Sequence, residues 1–531
     1  MNCKKAGFRA SVVLVILFAL VLVCVSASFA DVKLPAVISD NMVLQQGREV
    51  PIWGWAEPGE RIKVSFGWNK KKAVAKADKD GNWMFKMNPP EAGGPYKMTV
   101  RGKNNVVEIK NILVGEVWLC SGQSNMEFPV GARERWKTGV IDYQKEIEAA
   151  DYPDIRLFTV NQVSQEQPQS DCVGNWQLCS PETVGDFSAV GYYFARELHK
   201  EFGVPIGLIH ASWSGTPAEA WTRREILEME PDFEPILGRY EKLVEEYPQV
   251  KAEYQQKLEQ WKDAVEKAKR EGKKPPEKPP SPTKPGNRLS PSGLYNGMIA
   301  PLIPYRICGA IWYQGEANVE RAYQYRKLFP AMIKNWRNDW GQGDFPFLFV
   351  QLANFQDVKP EPSESDWAEL REAQLMTLAL PNTAMAVTID IGDANDIHPK
   401  NKQDVGRRLA LWALGKTYGK NIVYSGPIYK SMNVEGNKII LHFDHIGGGL
   451  VADGGEPLKG FAIAAAERKF VWADAKIDGE TVVVSSERIS EPVAVRYGWA
   501  DNPICNLYNK EGLPASPFRT DDWPGITIER K

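Results

Sequence analysis

Five short apolar runs are spread between about residues 112 and 418: Ile112 to Leu119, Val204 to His210, Ile307 to Tyr313, Phe347 to Leu352, and Ala384 to Ile389. Stretches of helical texture separate them. A strand that is apolar throughout, rather than at alternate residues, must be buried on both faces. Apolar strands alternating with helical stretches predict a parallel sheet covered by helices. The α/β class is therefore expected here, with a parallel sheet flanked by helices. At 531 residues the chain is too long for one such core, and its flanks have a different texture. From Asp31 to about Lys110, short β-rich runs such as Val50 to Trp55 and Arg61 to Phe66 alternate with turns such as Glu57-Pro58-Gly59. After Lys420, runs such as Lys438 to Phe443 and Thr481 to Val484 surround the glycine turn 447–449. The expected organisation is a leader over 1–30, an N-terminal β-sandwich-like domain over 31–110, the α/β domain over 111–420, and a C-terminal β-sandwich-like domain over 421–531.

Residues 239–285 interrupt the α/β pattern. Leu243, Tyr247, Val250, Tyr254, Leu258, Trp261, Val265 and Ala268 recur at steps of three and four among charged residues, so this is a helix with one apolar stripe. The Pro-rich run from Pro275 to Pro285 cannot continue it and should return as an extended, flexible segment. A single stripe usually covers a core. The insertion is thus expected to pack on its own domain rather than stand out as an arm for a partner or a cleft cap.

Lys4, Lys5 and Arg9 precede an apolar run from Val12 to Val25, and small residues follow at Ser28 and Ala30. The run is too short to span a bilayer comfortably and reads as a cleavable secretory signal. A secreted or periplasmic protein is expected, with no membrane attachment after cleavage. Lysine and arginine total 65 against 67 acidic residues, a balance that excludes the basic excess of a nucleic-acid binder. Cys120, Cys172, Cys179, Cys308 and Cys505 lie beyond the leader. Cys172 and Cys179 are near enough in sequence to close a small disulfide loop in an oxidising compartment, the alternative being that all five are reduced. No Cys-x-x-Cys pair occurs and the histidines are scattered, so no metal site is expected.

The first apolar run ends in Gly122-Gln123-Ser124-Asn125-Met126. A serine in a small-residue turn at the carboxyl end of a parallel strand is placed to act as a nucleophile. The third run ends in Gln314-Gly315-Glu316-Ala317-Asn318, where an asparagine amide can donate to a developing oxyanion. A later loop carries Asp390, Asp393 and Asp396 before His398, and a carboxylate is what a histidine base needs to fix its tautomer. His210 ends an apolar run and is expected to be buried and hydrogen-bonded, while His199 is expected in solvent.

Together with Ser212-Trp213-Ser214-Gly215-Thr216-Pro217-Ala218-Glu219-Ala220-Trp221, these blocks resemble the sialate O-acetylesterase family, a branch of the SGNH hydrolases. The resemblance covers about Leu113 to Tyr418. It implies an SGNH-type sheet and hydrolysis of O-acetyl esters on sugars, without any cofactor. It further implies Ser124 as nucleophile, His398 as general base and then acid, and an oxyanion hole of the Ser124 and Gly215 backbone N–H groups with the Asn318 amide. Many SGNH enzymes carry the third triad member three residues before the histidine, where this chain has Asn395. Asp396 is the nearest carboxylate, with Asp393, Asp390 or a Ser-His dyad as alternatives. Gln123, Gln314 and Glu316 are expected to contact substrate, Glu316 equally to serve the frame. The competing readings are a broader esterase or lipase and a non-catalytic glycan-binding protein.

Overall fold

The computed structural model describes residues 31–134 and 136–531. The leader lies outside the described residues. Two compact units are present. The first contains the described residues up to Leu34 together with Ile52–Phe85 and Lys97–Glu108. Its strands Arg61–Phe66 and Asn69–Lys76 pair antiparallel, and Val64 also stands opposite Val100. Ile62 and Val64 are buried while Arg61 and Lys63 are exposed, the alternation of a sheet with one wet face.

The second unit contains Pro35–Pro51, Lys86–Tyr96 and Ile109–Lys531. At its centre are seven strands: β1 (Val106–Gly122, entering this unit at Ile109), β2 (Tyr152–Thr159), β3 (Trp176–Cys179), β4 (Ile206–Ser212), β5 (Gly309–Tyr313), β6 (Phe347–Val350) and β7 (Thr383–Ala386). Their order is β7-β6-β5-β1-β4-β2-β3. Every pairing is parallel except the antiparallel edge pair β2–β3. Strands β4 to β7 are buried at every residue, as is β1 from Ile112 to Gly122. These are the continuous apolar runs of the sequence, and the α/β expectation holds. Strands β2 and β3 lacked such a run. Exposed Pro153 and Asp154 in β2 dilute its pattern.

The helices that carry or support the site are α1 (Ser124–Glu127), α2 (Ala189–Phe202), α3 (Glu234–Arg270), α4 (Ala322–Trp340), α5 (Asp366–Met376) and α6 (Lys402–Trp412). Ser188 caps α2 by accepting from the Gly191 N–H, and Asn401 caps α6 by accepting from the Asp404 N–H. Helices α2 and α6 cross closely because Gly406 has no side chain. A Cβ there would lie 2.5 Å from the Tyr193 Cβ.

Helix α3 corrects the reading of the insertion. Beyond Ile236 and Leu237 none of its residues is fully buried, so the apolar stripe does not cover the domain core. It is met instead by its own Pro-rich return. Trp261 Nε1 donates to the Pro276 carbonyl at 2.9 Å, and Ser281 Oγ donates to Tyr254 Oη at 3.0 Å. The return is a docked strap, because proline's fixed backbone lies flat against a helix stripe at small entropic cost.

From Ile428 onward the strands form antiparallel sheets around a core that includes Ile439, Leu441, Phe461, Val482, Val484 and Tyr497. They belong to the same compact unit as the central sheet. The five described cysteines are free thiols, the second of the two alternatives left open by the sequence. Cys179 ends the extended strand β3, paired with Tyr152, which carries it away from Cys172. Burial pushes both thiols up to about 12, which makes them inert.

Candidate active site

Three carboxyl ends of neighbouring strands are level: Gly122 of β1 is in register with Ser212 of β4 and Tyr313 of β5. The chain leaves all three in turns that are tied together. Gln123 N–H donates to the Tyr313 carbonyl at 3.0 Å, and Trp213 N–H donates to the Gly122 carbonyl at 3.2 Å. Gly122 has φ +144°, and a Cβ there would lie 2.1 Å from the Tyr313 carbonyl oxygen, so only glycine permits this exit. The exit delivers Ser124 as the first residue of α1, 5% exposed.

The neighbouring turns bring up donors. Gly215 follows β4 in the left-handed region at φ +69°, and its turn is held to α1 where Ser214 N–H donates to Glu127 Oε2 at 2.6 Å. Asn318 follows β5 and is almost wholly buried. Its Oδ1 accepts from the Ala218 N–H and from Gln314 Nε2, while its Nδ2 donates to Glu219 Oε2 at 2.9 Å. Arg321 holds the other oxygen of Glu219 at 2.9 Å. The amide orientation is thereby fixed, and one of its two Nδ2 hydrogens is uncommitted by these contacts.

The loop after β7 is anchored by Asp390, which is held through both oxygens by Arg408 at 2.6 and 2.7 Å. That pairing removes Asp390 as a partner for the histidine. Asp393 accepts from the Asn395 N–H within the loop. Asp396 is the carboxylate beside His398. Its Oδ1 accepts the His398 backbone N–H at 2.9 Å and lies 3.3 Å from His398 Nδ1. Trp136 stacks on the imidazole with ring centroids 4.5 Å apart. The histidine loop reaches the serine turn because Asn125 Nδ2 donates to the Ile397 carbonyl at 3.1 Å. A hydrogen bond thus joins the immediate neighbours of Ser124 and His398.

Behind this pair runs a buried polar chain. Lys402 Nζ donates to Asn125 Oδ1 at 2.6 Å, and Asn125 Nδ2 also donates to Glu316 Oε1 at 2.5 Å. The ammonium sits 5.0 Å from the Phe128 ring and 5.2 Å from the Tyr313 ring. Burial pushes Lys402 down to about 7 and pushes the Glu316 carboxyl up. His398 is held below its ordinary value, first by burial and then by the Lys402 charge, with Asp396 opposing. Its neutral form is favoured near pH 7.

The three residues expected to contact substrate are also bonded within the protein. Gln314 is fully buried, donating to the Thr216 carbonyl and Asn318 and accepting from Tyr325 Oη. Gln123 Oε1 accepts from the Gly315 and Ala317 N–H groups. The Glu316 carboxylate faces Asn125 and the Lys402 charge. These residues hold the turns in place, because each sits where a strand end leaves backbone groups in need of partners. Asn125, Glu127, Trp136, Glu219 and Lys402 were not singled out from sequence. Asn125, Glu127 and Glu219 stood beside the motif residues, but Trp136 and Lys402 carry no local signal. Buried His210 donates or accepts at Ser212 Oγ, 2.5 Å away, and burial pushes it down to about 4. Among the described residues no group of His, Cys, Asp and Glu is arranged to hold a metal ion, and no helix is long and apolar enough to cross a membrane.

The family model of a carbohydrate esterase, sialic acid-specific acetylesterase, matches residues 114–269 and 288–414. A solved carbohydrate acetylesterase from Xanthomonas citri is 39% identical, with a TM-score of 0.78 over 93% of this chain and 100% of that one. Sialate O-acetylesterases of Homo sapiens and Pongo abelii are each 29% identical over 93% of this chain and 94% of their own length. The matched segments contain all four sequence blocks and break off within the strap that follows α3. With over half of its length matched and its site built from those blocks, this chain is an ester hydrolase and belongs to the sialic acid-specific acetylesterase family of carbohydrate esterases.

Proposed function

We propose that this chain is a secreted or periplasmic carbohydrate O-acetylesterase of the SGNH type, hydrolysing O-acetyl esters of sialic acids or other acetylated sugars through an acyl-enzyme on Ser124. Ser124 Oγ attacks the acetyl carbonyl carbon while His398 accepts its proton. Asp396 holds His398 Nδ1 and stabilises the imidazolium, and the Trp136 face favours the same cation. The carbonyl oxygen gathers negative charge against the Ser124 and Gly215 N–H groups and the Asn318 amide. His398 returns the proton to the sugar oxygen as the C–O bond breaks. Water then attacks the acetyl group with His398 again as base, releasing acetate and restoring the serine.

The observation that carries the reading is the Asn125–Ile397 hydrogen bond, which draws the Ser124 turn and the His398 loop together across more than 270 residues of chain. The sugar substrate is supported by the names of the relatives, sialate O-acetylesterases and a carbohydrate acetylesterase. Export is supported by the apolar run after Lys4, Lys5 and Arg9. Acetate release should be assayed across O-acetyl sialic acids, acetylated xylan and acetylated pectin, with Ser124→Ala as control. A serine-directed phosphonate should add one mass increment at Ser124. Release unchanged in Ser124→Ala, or no adduct at that residue, contradicts the mechanism.

A further inference from the structure

A cavity of about 580 Å³ lies at the other end of the strands that carry the site. Ile307 and Cys308 lead into β5, Pro346 leads into β6 and Asn382 leads into β7, and all four line it. One strand of five residues, roughly 16 Å at 3.3 Å per residue, separates this end of β5 from the turn that carries Asn318. Parallel sheets present their chemistry at carboxyl ends, so this amino-end cavity is no part of the hydrolytic site.

Its lining is unbalanced in charge. Arg48, Arg306 and Lys416 face it against one carboxylate, Asp344, which already lies 3.5 Å from Arg337 Nη1. Glu49 is near Arg306 but lies 3.9 Å from Lys86 Nζ. Among the described residues no carboxylate comes within ion-pair distance of Arg48 or Arg306. The Arg306 guanidinium is held below its ordinary value by burial and then by Arg48, so the two cations feel one another. Arg306 Nε and Gln342 Nε2 are shut off from water and donate to nothing in the protein. Buried donors of this kind are uncommon and call for an acceptor. Ile307, Phe345 and Leu378 add apolar side chains to the lining.

Arginine pairs grip planar or tetrahedral oxyanions through forked hydrogen bonds, and apolar walls take a carbon skeleton. We infer that this cavity binds a small organic anion, a carboxylate or phosphate on a sugar-sized skeleton, with the oxyanion between Arg48 and Arg306. The two sources of that chemistry are an acidic sugar and a sugar phosphate. The inference does not depend on the proposed acyl-enzyme.

Calorimetric titration of the full chain at pH 7 with glucuronate, glucose 6-phosphate, inorganic phosphate and glucose tests it. At least one of the two sugar anions should bind with Kd below about 1 mM, and glucose should not. Arg48→Gln, at an exposed residue that leaves the fold intact, and Arg306→Gln should each weaken binding about tenfold or more. Ser124→Ala should bind as the unaltered protein does. Preference for glucuronate names an acidic sugar, and preference for glucose 6-phosphate names a sugar phosphate. No heat with either sugar anion, inorganic phosphate binding as tightly as glucose 6-phosphate, equal affinity in both arginine variants, or loss of binding in Ser124→Ala overturns the inference.

Discussion

Asn318 spends one amide hydrogen on Glu219 and has its carbonyl held by two donors, so in its proposed role it would meet the oxyanion without reorganising. Asn318→Ala should lower kcat about 10²- to 10³-fold, the cost of one oxyanion donor, with KM little changed. An unchanged kcat on p-nitrophenyl acetate would remove Asn318 from the hole. Lys402 acts on His398 by charge. A base must be neutral to accept a proton, and His398 is held below 6.5, so kcat/KM should fall as pH drops through a value below 6.5. Lys402, at about 7, is charged throughout that range. Lys402→Met removes one force opposing the imidazolium, and the acid limb of the pH profile should move to higher pH. The Lys402→Met/Glu316→Gln double variant, which leaves no lone buried charge, should show the same direction of shift. A limb that stays in place in both variants contradicts the assignment. The proposed roles of Ser124, His398 and Asn318 could be read from sequence because acyl transfer admits few residue types in such turns. Asp396 stood in sequence as one of three carboxylates; the fold commits Asp390 to Arg408 and brings Asp396 to 3.3 Å from His398 Nδ1.

At the level of elements, the strand exits do the positioning. Gly122→Ala would drive a Cβ against the Tyr313 carbonyl at a left-handed φ, and should cost over about 3 kcal/mol or prevent soluble expression. A normally stable, active Gly122→Ala protein in urea unfolding would show that the exit is not constrained as described. The α3 strap is held by local contacts instead. Trp261→Ala removes its donor to Pro276, so trypsin should cleave within residues 271–286 about fivefold faster or more, while p-nitrophenyl acetate turnover stays within about twofold. Equal cleavage rates would mean that the strap is held elsewhere. Periodicity announced the helix and proline announced its return. Neither could say what would cover the stripe, since a helix reports only that one face must leave water.

Over the whole second unit, Arg371 of α5 is the clearest tie between the central sheet and the antiparallel region. It is fully buried, and its guanidinium donates to the carbonyls of Leu352 and Ala353 after β6 and to those of Ala500 and Asp501. Burial pushes it down to about 9. Arg371→Met leaves those carbonyls without their donor and should cost about 3 kcal/mol or more, read as a drop in the urea midpoint. A loss under about 1 kcal/mol would show that the two regions hold together without it.

By itself the sequence determined the α/β class and marked the strand ends at which the proposed serine, histidine and asparagine stand. Those properties follow from local apolar pattern and from the narrow choice of side chains that can attack, shuttle a proton or donate to an oxyanion. Only the tertiary structure decided which carboxylate stands beside His398, that Gln123, Gln314 and Glu316 bond within the protein, and that Lys402 stands behind the pair. Each of those outcomes is a competition among groups far apart in the chain for a limited number of buried hydrogen bonds. Its winner is set by distance in the folded molecule, a quantity that residue order does not carry.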